Sequence, residues 1–342
     1  MTTTSPPRRE GCPKRMVFGP CGGVRDDGRC EVAEHDCVFL APPLPRWTAA
    51  RLPAPTARPG GLLQRARRGP VVLTDLTVTP FDRASVRAVV GALAPVSDAL
   101  LIGEHQGRPD FPPSLMAEEV LDAGGRPWTT LACRDRNRLV LEQELAGLAA
   151  VGVDGVLCVT GDGRQPGARP EVSSVFDLDG TRLTALATAA GLSAAVAESP
   201  GAPPHAVRPT RVADKQRAGA QLCVLNHVAG PAELAAFTAA ARAAGATLPF
   251  VASVAVYTDE RSARVLQRFP GLRLDPAVVE RVLAAPDTVV AGVQAAVAEA
   301  RALLAVPGVV GVNLSGLASA HGVETAAAVK AAVATRIREE DA

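Results

Sequence analysis

The sequence predicts an α/β fold, a (β/α)8 TIM barrel preceded by a small cysteine-rich metal-binding module. From residue 71 onward, eight short runs rich in Val, Leu and Ala alternate with amphipathic helical stretches, the pattern of βα units on a parallel sheet. Those runs are predominantly apolar, as suits a sheet buried on both faces. Four of the seven cysteines, Cys12, Cys21, Cys30 and Cys37, fall within 26 residues near the N-terminus, apart from the barrel pattern.

In chain order, residues 1–10 are polar and Pro-rich and read as a disordered tail, and residues 11–40 form the cysteine segment. Residues 41–70 are rich in Pro, Gly and Arg, a linker or wrapping arm. The barrel then occupies 71–338. Its strands are expected at 71–77, 98–103, 128–133, 155–160, 192–197, 221–226, 249–255 and 309–314, with helical stretches between them. Eight strands over roughly 270 residues suit a (β/α)8 barrel, and a doubly wound open sheet is the alternative built from the same units.

Composition narrows the function. The 342 residues carry 36 Lys plus Arg against 35 Asp plus Glu, a formal net charge of +1, so no polybasic nucleic-acid footprint is present. At 47% hydrophobic there is ample material for a large core, and at 3% aromatic that core must be built from Ala, Val and Leu. Charged residues or proline break every apolar stretch before about 18 residues, so no membrane span is expected. The N-terminus lacks an apolar stretch after its basic residues, which argues against a secretory signal and for a cytoplasmic, reducing setting.

Chemistry on such a barrel sits where strands end and loops begin. Those positions hold Asp75, Glu104 with His105, Arg134 with Asp135, Thr160-Gly161-Asp162, Glu198, Asn226, Tyr257, and Asn313 with Ser315. Helix caps account for some polar residues at these positions. Four thiols in a reducing compartment are better explained by a metal than by disulfides, with glycines allowing tight turns around it. The spacings of eight, eight and six intervening residues are not those of paired zinc knuckles, and both zinc and an iron–sulfur cluster accept four Cys.

The segment CRDRNRLVLEQELAGLAAVGVDGVLCVTGD (133–162) resembles the methylenetetrahydrofolate reductases, whose bacterial branch shows an RDRNR stretch, a helix and a strand ending in TGD. The stretches 166–179, 215–226 and 305–314 resemble the same family, so the likeness spans about 70–335. The CPK, GPCGG and GRCEV elements of residues 12–32 resemble the cysteine-rich module that accompanies these reductases in some bacteria. The resemblance implies a FAD-bearing barrel that reduces 5,10-methylenetetrahydrofolate to 5-methyltetrahydrofolate with NAD(P)H. It implies Asp162 between flavin and folate, Lys215 on a flavin phosphate, and Phe176 beside the flavin. Arg134, Asp135, Thr160 and His205 complete the expected cofactor set, with His205, Arg208 and Arg211 able to grip a diphosphate. The expected metal ligands are Cys12, Cys21, Cys30 and Cys37.

Two departures touch the folate side. The family's first strand ends in a Glu acid shortly before Pro-Pro, whereas this chain reads TDLTVTPFD; Asp75 is the nearest carboxylate, and Glu104 on the next strand end can take the role. The family's folate-binding Gln is replaced by Asn226, which keeps the amide but reaches less far. The alternatives are therefore a flavin-free folate one-carbon or hydride-transfer enzyme, or a non-catalytic subunit docking to a corrinoid or electron-transfer partner. A homo-oligomer is also compatible with the sequence.

Overall fold

The computed structural model describes residues 9–41, 43–105, 107–164, 169–267, 272 and 274–339. Most of the expected tail, and residues 166–168 of the loop resembling the reductases, lie outside them. A short helix α1 (Leu62–Arg65) precedes β1 (Val71–Leu76), α2 (Arg83–Leu93), β2 (Ala99–Ile102), α3 (Pro113–Asp122) and β3 (Pro127–Ala132). Then come α4 (Arg138–Val151), β4 (Gly155–Val159), α5 (Gly180–Ala189), β5 (Ser193–Glu198), α6 (Arg208–Arg217) and β6 (Leu222–Leu225). The remainder is α7 (Pro231–Ala243), β7 (Phe250–Tyr257), α8 (Glu260–Gln267), α9 (Pro276–Leu283), α10 (Thr288–Leu304), β8 (Val309–Ala318) and α11 (Val323–Glu339). All eight strands pair in parallel and in order, and β1 pairs with β8 to close the barrel.

The strand period of two explains how apolar runs serve both faces. Leu73, Leu101, Leu157, Val224 and Val251 pack in one cluster with Leu62, Leu63 and Trp128. Leu100, Leu131, Val156 and Ala194 join the residues of α2 to α5 instead. The alternate strand residues Asp75, Thr130, Asn226, Ser253 and Asn313 continue the first set towards the strand ends and line an open cavity. Gly155 has no side chain because a Cβ there would stand 2.6 Å from the Trp128 ring. Cys133, Cys158 and Cys223 are buried in the clusters that face the helices.

Residues 41–70 form a wrapping arm. Arg46 pairs with Asp214 of α6 at 2.6 Å, Leu52 N–H donates to the Arg217 carbonyl at 3.1 Å, and Gln221 donates to the Pro55 carbonyl at 2.9 Å. The arm ends in α1, whose Leu62 N–H and the Trp128 indole both donate to Asp154 Oδ2, at 2.6 and 2.9 Å. Among the described residues, no helix is long and apolar enough to cross a membrane.

Candidate functional site

The C-terminal ends of the strands surround a cavity of about 550 Å³. Asp75 stands on β1 with its carboxylate Oδ1 accepting from Asn313 Nδ2 at 2.9 Å. Burial pushes its pKa up, opposed by the charge of Lys330 and by the Asn313 bond. The Lys330 ammonium lies on the Asp75 backbone carbonyl at 2.9 Å. Asp75 is thus a buried acid with an amide donor on its carboxylate. Glu104, beyond β2, differs: it accepts from Arg136 at 2.7 Å and from the Ala132 N–H at 3.1 Å. Burial raises its pKa too, but Arg136 pulls directly against that shift.

Arg134 is buried and holds three strand ends together. It donates to the His105 carbonyl at 3.1 Å, the Asp162 carbonyl at 3.4 Å and the Asp135 carboxylate at 2.9 Å. Thr160 accepts from the Gly180 N–H at 3.0 Å and faces Met16 Sδ at 3.5 Å. Gly161, at φ 92°, makes the turn that presents Asp162 to the cavity, a backbone conformation that favours glycine.

At the end of β5, Glu198 carries a buried charge cluster. Its carboxylate meets Arg208 at 3.1 Å, Arg211 at 3.4 Å and Lys215 at 2.8 Å. Burial alone would raise the Glu198 pKa, but Lys215, Arg211 and Arg208 hold it far below the usual carboxylate range. Lys215, expected on a phosphate, is instead committed to Glu198 and to the Ala197 carbonyl. Arg208 and Arg211 reach the N-terminal segment, donating to the Pro20 carbonyl at 3.5 Å and the Phe18 carbonyl at 2.9 Å.

That segment completes the cavity wall with Lys14, Met16, Cys21 and Gly22. The Val17 N–H donates to Asp179 at 3.0 Å, and Glu31 accepts from the Gly163 N–H at 2.6 Å. Buried Lys14 ion-pairs with Glu31 and donates to the Gly161 carbonyl at 2.9 Å. Burial works against its charge, yet Cys21, Glu31 and Asp162 outweigh it and raise the Lys14 pKa. Beneath it, Cys12, Cys21, Cys30 and Cys37 all line one small cavity of about 20 Å³. Burial pushes the Cys12, Cys21 and Cys37 thiols up, and neighbouring thiols add to the shift at Cys12 and Cys37. The donor set suits a tetrathiolate metal, although among the described residues no three His, Cys, Asp or Glu side chains stand in a closed ligating group.

Of the residues expected from sequence, Asp75, Glu104, Arg134, Thr160, Asp162, Lys215 and Asn226 line the cavity. Asp135, Phe176 and His205 do not. Asp135 is exposed and paired with Arg134 and Arg164. Phe176, at φ 44°, is buried with its ring centroid 5.8 Å from the Lys14 ammonium. His205 is exposed, its Nδ1 3.3 Å from the Pro200 carbonyl. Of the six expected cofactor residues, Arg134, Thr160 and Lys215 therefore line the cavity and the other three stand outside it. Sequence reasoning missed Lys14 and His227; the CPK tripeptide marks the first, and position just past a strand end marks the second.

Comparisons with known proteins agree with this picture in outline. Residues 3–42, which hold the four clustered cysteines and Lys14, match the family model described as "Methylene-tetrahydrofolate reductase C terminal". No curated protein matches the chain. Among solved structures, one neighbour is an uncharacterized protein from Clostridium thermocellum that binds two copies of 5-methyl-5,6,7,8-tetrahydrofolic acid. The two are 14% identical over 80% of this chain and 99% of that one, with a TM-score of 0.58. Tryptophan synthase from M. tuberculosis, in an open form with BRD0059 bound, is 13% identical over 84% of this chain and 100% of its own, with a TM-score of 0.46. At 14% identity the likeness to the Clostridium thermocellum protein shows the fold alone, the barrel.

Proposed function

We propose that the chain is a folate-dependent oxidoreductase that reduces 5,10-methylenetetrahydrofolate to 5-methyltetrahydrofolate with NAD(P)H. One observation carries the reading: residues 14–22, inside the stretch matched by the reductase family model, form part of the wall of the strand-end cavity. The folate ligand is of the class carried by the Clostridium thermocellum neighbour. Asp75 is the proposed acid. Its raised pKa keeps a proton available, and it delivers that proton to the folate N10 as the five-membered ring opens to the iminium. Hydride from the nicotinamide C4 then goes to the methylene carbon, so that one NAD(P)H and one proton are consumed and NAD(P)+ leaves. Glu104 is the poorer acid because Arg136 holds its carboxylate. Asp162 and Asn226 both line the cavity and are the folate contacts implied by the resemblance.

The commitment of Lys215 to Glu198, and the absence of Asp135, Phe176 and His205 from the cavity, favour direct transfer from nicotinamide over transfer through flavin. The four thiols are proposed as a site for zinc or an iron–sulfur cluster, with Cys12, Cys21, Cys30 and Cys37 as ligands. The test is NAD(P)H consumption with 5,10-methylenetetrahydrofolate, together with a visible spectrum and metal analysis of the purified full chain. Turnover by colourless protein supports direct transfer, and yellow protein with flavin absorbance overturns it. No turnover with either nucleotide refutes the oxidoreductase assignment.

A further inference from the structure

The cavity wall divides by charge. From β2 round to β5 it carries ion pairs, as of Glu104 with Arg136 and of Glu198 with Lys215. From β6 round to β8 its polar groups are Asn226, His227, Ser253, Asn313 and Ser315, with Asp75 the only carboxylate beside them among the described residues. On this second arc, His227 Nδ1 and Asn313 Oδ1 are buried atoms with no hydrogen-bond partner among the described residues. His227 is 4% exposed and Asn313 is 3% exposed. Each side chain is fixed by its opposite end: His227 Nε2 lies 2.7 Å from Ser315 Oγ, and Asn313 Nδ2 donates to Asp75 at 2.9 Å. Asn313 and Ser315 are two residues apart on β8, so both face the cavity.

The chemistry of the missing partner follows from those bonds. Asn313 Oδ1 can only accept. Ser315 Oγ has a carbonyl acceptor of its own, that of Val254 at 3.4 Å. With the hydroxyl proton directed there, Ser315 accepts from His227 Nε2–H and leaves His227 Nδ1 as a bare lone pair. Buried, desolvated acceptors are rare without a donor opposite them. Two acceptors on one arc call for a ligand edge that carries N–H groups.

We propose that Asn313 and His227 form a ligand subsite that accepts hydrogen bonds from an amino or carboxamide N–H edge of a planar nitrogen heterocycle. The inference rests on the oxidoreductase reading, which supplies two ligands with such an edge: the aminopyrimidine side of the pterin and the carboxamide of nicotinamide. It places a recognition surface across the cavity from the charged arc that includes Asp162, and gives roles to two residues to which the resemblance assigns none.

The full chain labelled with ¹⁵N-histidine is titrated separately with 5-methyltetrahydrofolate and with NAD+. One of the two ligands shifts the His227 Nδ1 resonance away from that of a bare acceptor and so names the source. Asn313→Ala then weakens that same ligand by about tenfold or more while leaving the other within about twofold. Binding of either ligand to the wild-type chain with no His227 shift overturns the subsite and leaves the oxidoreductase reading standing. If neither ligand binds the wild-type chain, that reading falls and the subsite with it. The wild-type resonance carries the test even where Asn313→Ala does not fold.

Discussion

Replacing Glu198 with Gln removes one negative charge from a cluster whose formal sum is already +2, since Arg208, Arg211 and Lys215 all face that carboxylate. Gln keeps the shape but leaves three buried cations with no counter-charge. Breaking a buried ion pair from one side typically costs about 3–5 kcal/mol. For a chain of this size that corresponds to a fall in Tm of roughly 6–10 °C, at about 2 °C per kcal/mol. The damage should be directional, because Arg208 and Arg211 also hold the Pro20 and Phe18 carbonyls. Hydrogen exchange should therefore quicken first in residues 16–22, ahead of the outer helices. The pH dependence has a definite sign: with the folded pKa of Glu198 depressed, its contribution is fully present above the unfolded value of about 4.3 and is lost only as pH falls towards the folded pKa. Wild type and Glu198→Gln should thus differ in Tm throughout the neutral range and converge in strong acid. A Tm within about 2 °C of wild type, with unchanged exchange in 16–22, would refute the claim that this carboxylate organises the junction.

The same physics gives three further expectations. Asp75→Asn should lower turnover by about two to four orders of magnitude with little change in folate affinity, and wild-type turnover should fall as pH rises through the raised Asp75 pKa; a flat alkaline limb removes Asp75 as the acid. Burial pushes Glu299 up to about 7, so wild-type stability should decline as pH climbs from about 4.5 through that value. Glu299→Gln should abolish the decline and gain about 3 kcal/mol at pH 8 but nothing at pH 4, whereas a variant less stable than wild type at pH 8 contradicts this. Lys14→Met removes the partner of Glu31 and of the Gly161 carbonyl. It should weaken folate binding by about tenfold and slow alkylation of Cys21 by iodoacetamide, because the Lys14 charge favours the Cys21 thiolate; unchanged values for both would show that Lys14 only fills space.

The barrel was legible because periodicity is a local property. Three of the eight strands, β1, β4 and β8, begin on their expected positions and the other five begin within one residue of them, since each apolar run is bounded by turn residues. The ends of β7 and β8 are later than expected, at Tyr257 and Ala318, because these strands pair beyond Asn313 through irregular register that no local pattern encodes. Strand-end placement was enough to put Asp75, Glu104, Asp162 and Asn226 on the cavity. It could not show that Lys215 would face a carboxylate, because Glu198 lies 17 residues away on another element. Nor could it place Phe176, whose positive φ accompanies a contact with Lys14 rather than with the cavity. Lys14 itself is 147 residues from the Gly161 carbonyl it binds, a contact that exists only once the segment has docked.

That docking changes how the two ends of the chain relate. Lys14 and Cys21 line both the strand-end cavity and the smaller cavity of the four thiols, so the two spaces share a wall. Glu31 joins them a second time, accepting from the Gly163 N–H on the barrel side while its other oxygen pairs with Lys14 beside Cys21. A ligand against Lys14 therefore alters the surroundings of Cys21, and chemistry at Cys21 alters the cavity by an equal free energy, because coupling between two sites is reciprocal. The wrapping arm fixes this junction by spanning the barrel from the module to α1 at Asp154, holding the segment at high effective concentration on the rim. A chain lacking residues 1–70 would lose Lys14, Met16, Cys21 and Gly22 from the wall, which makes the cysteine segment part of the cavity rather than an accessory to it.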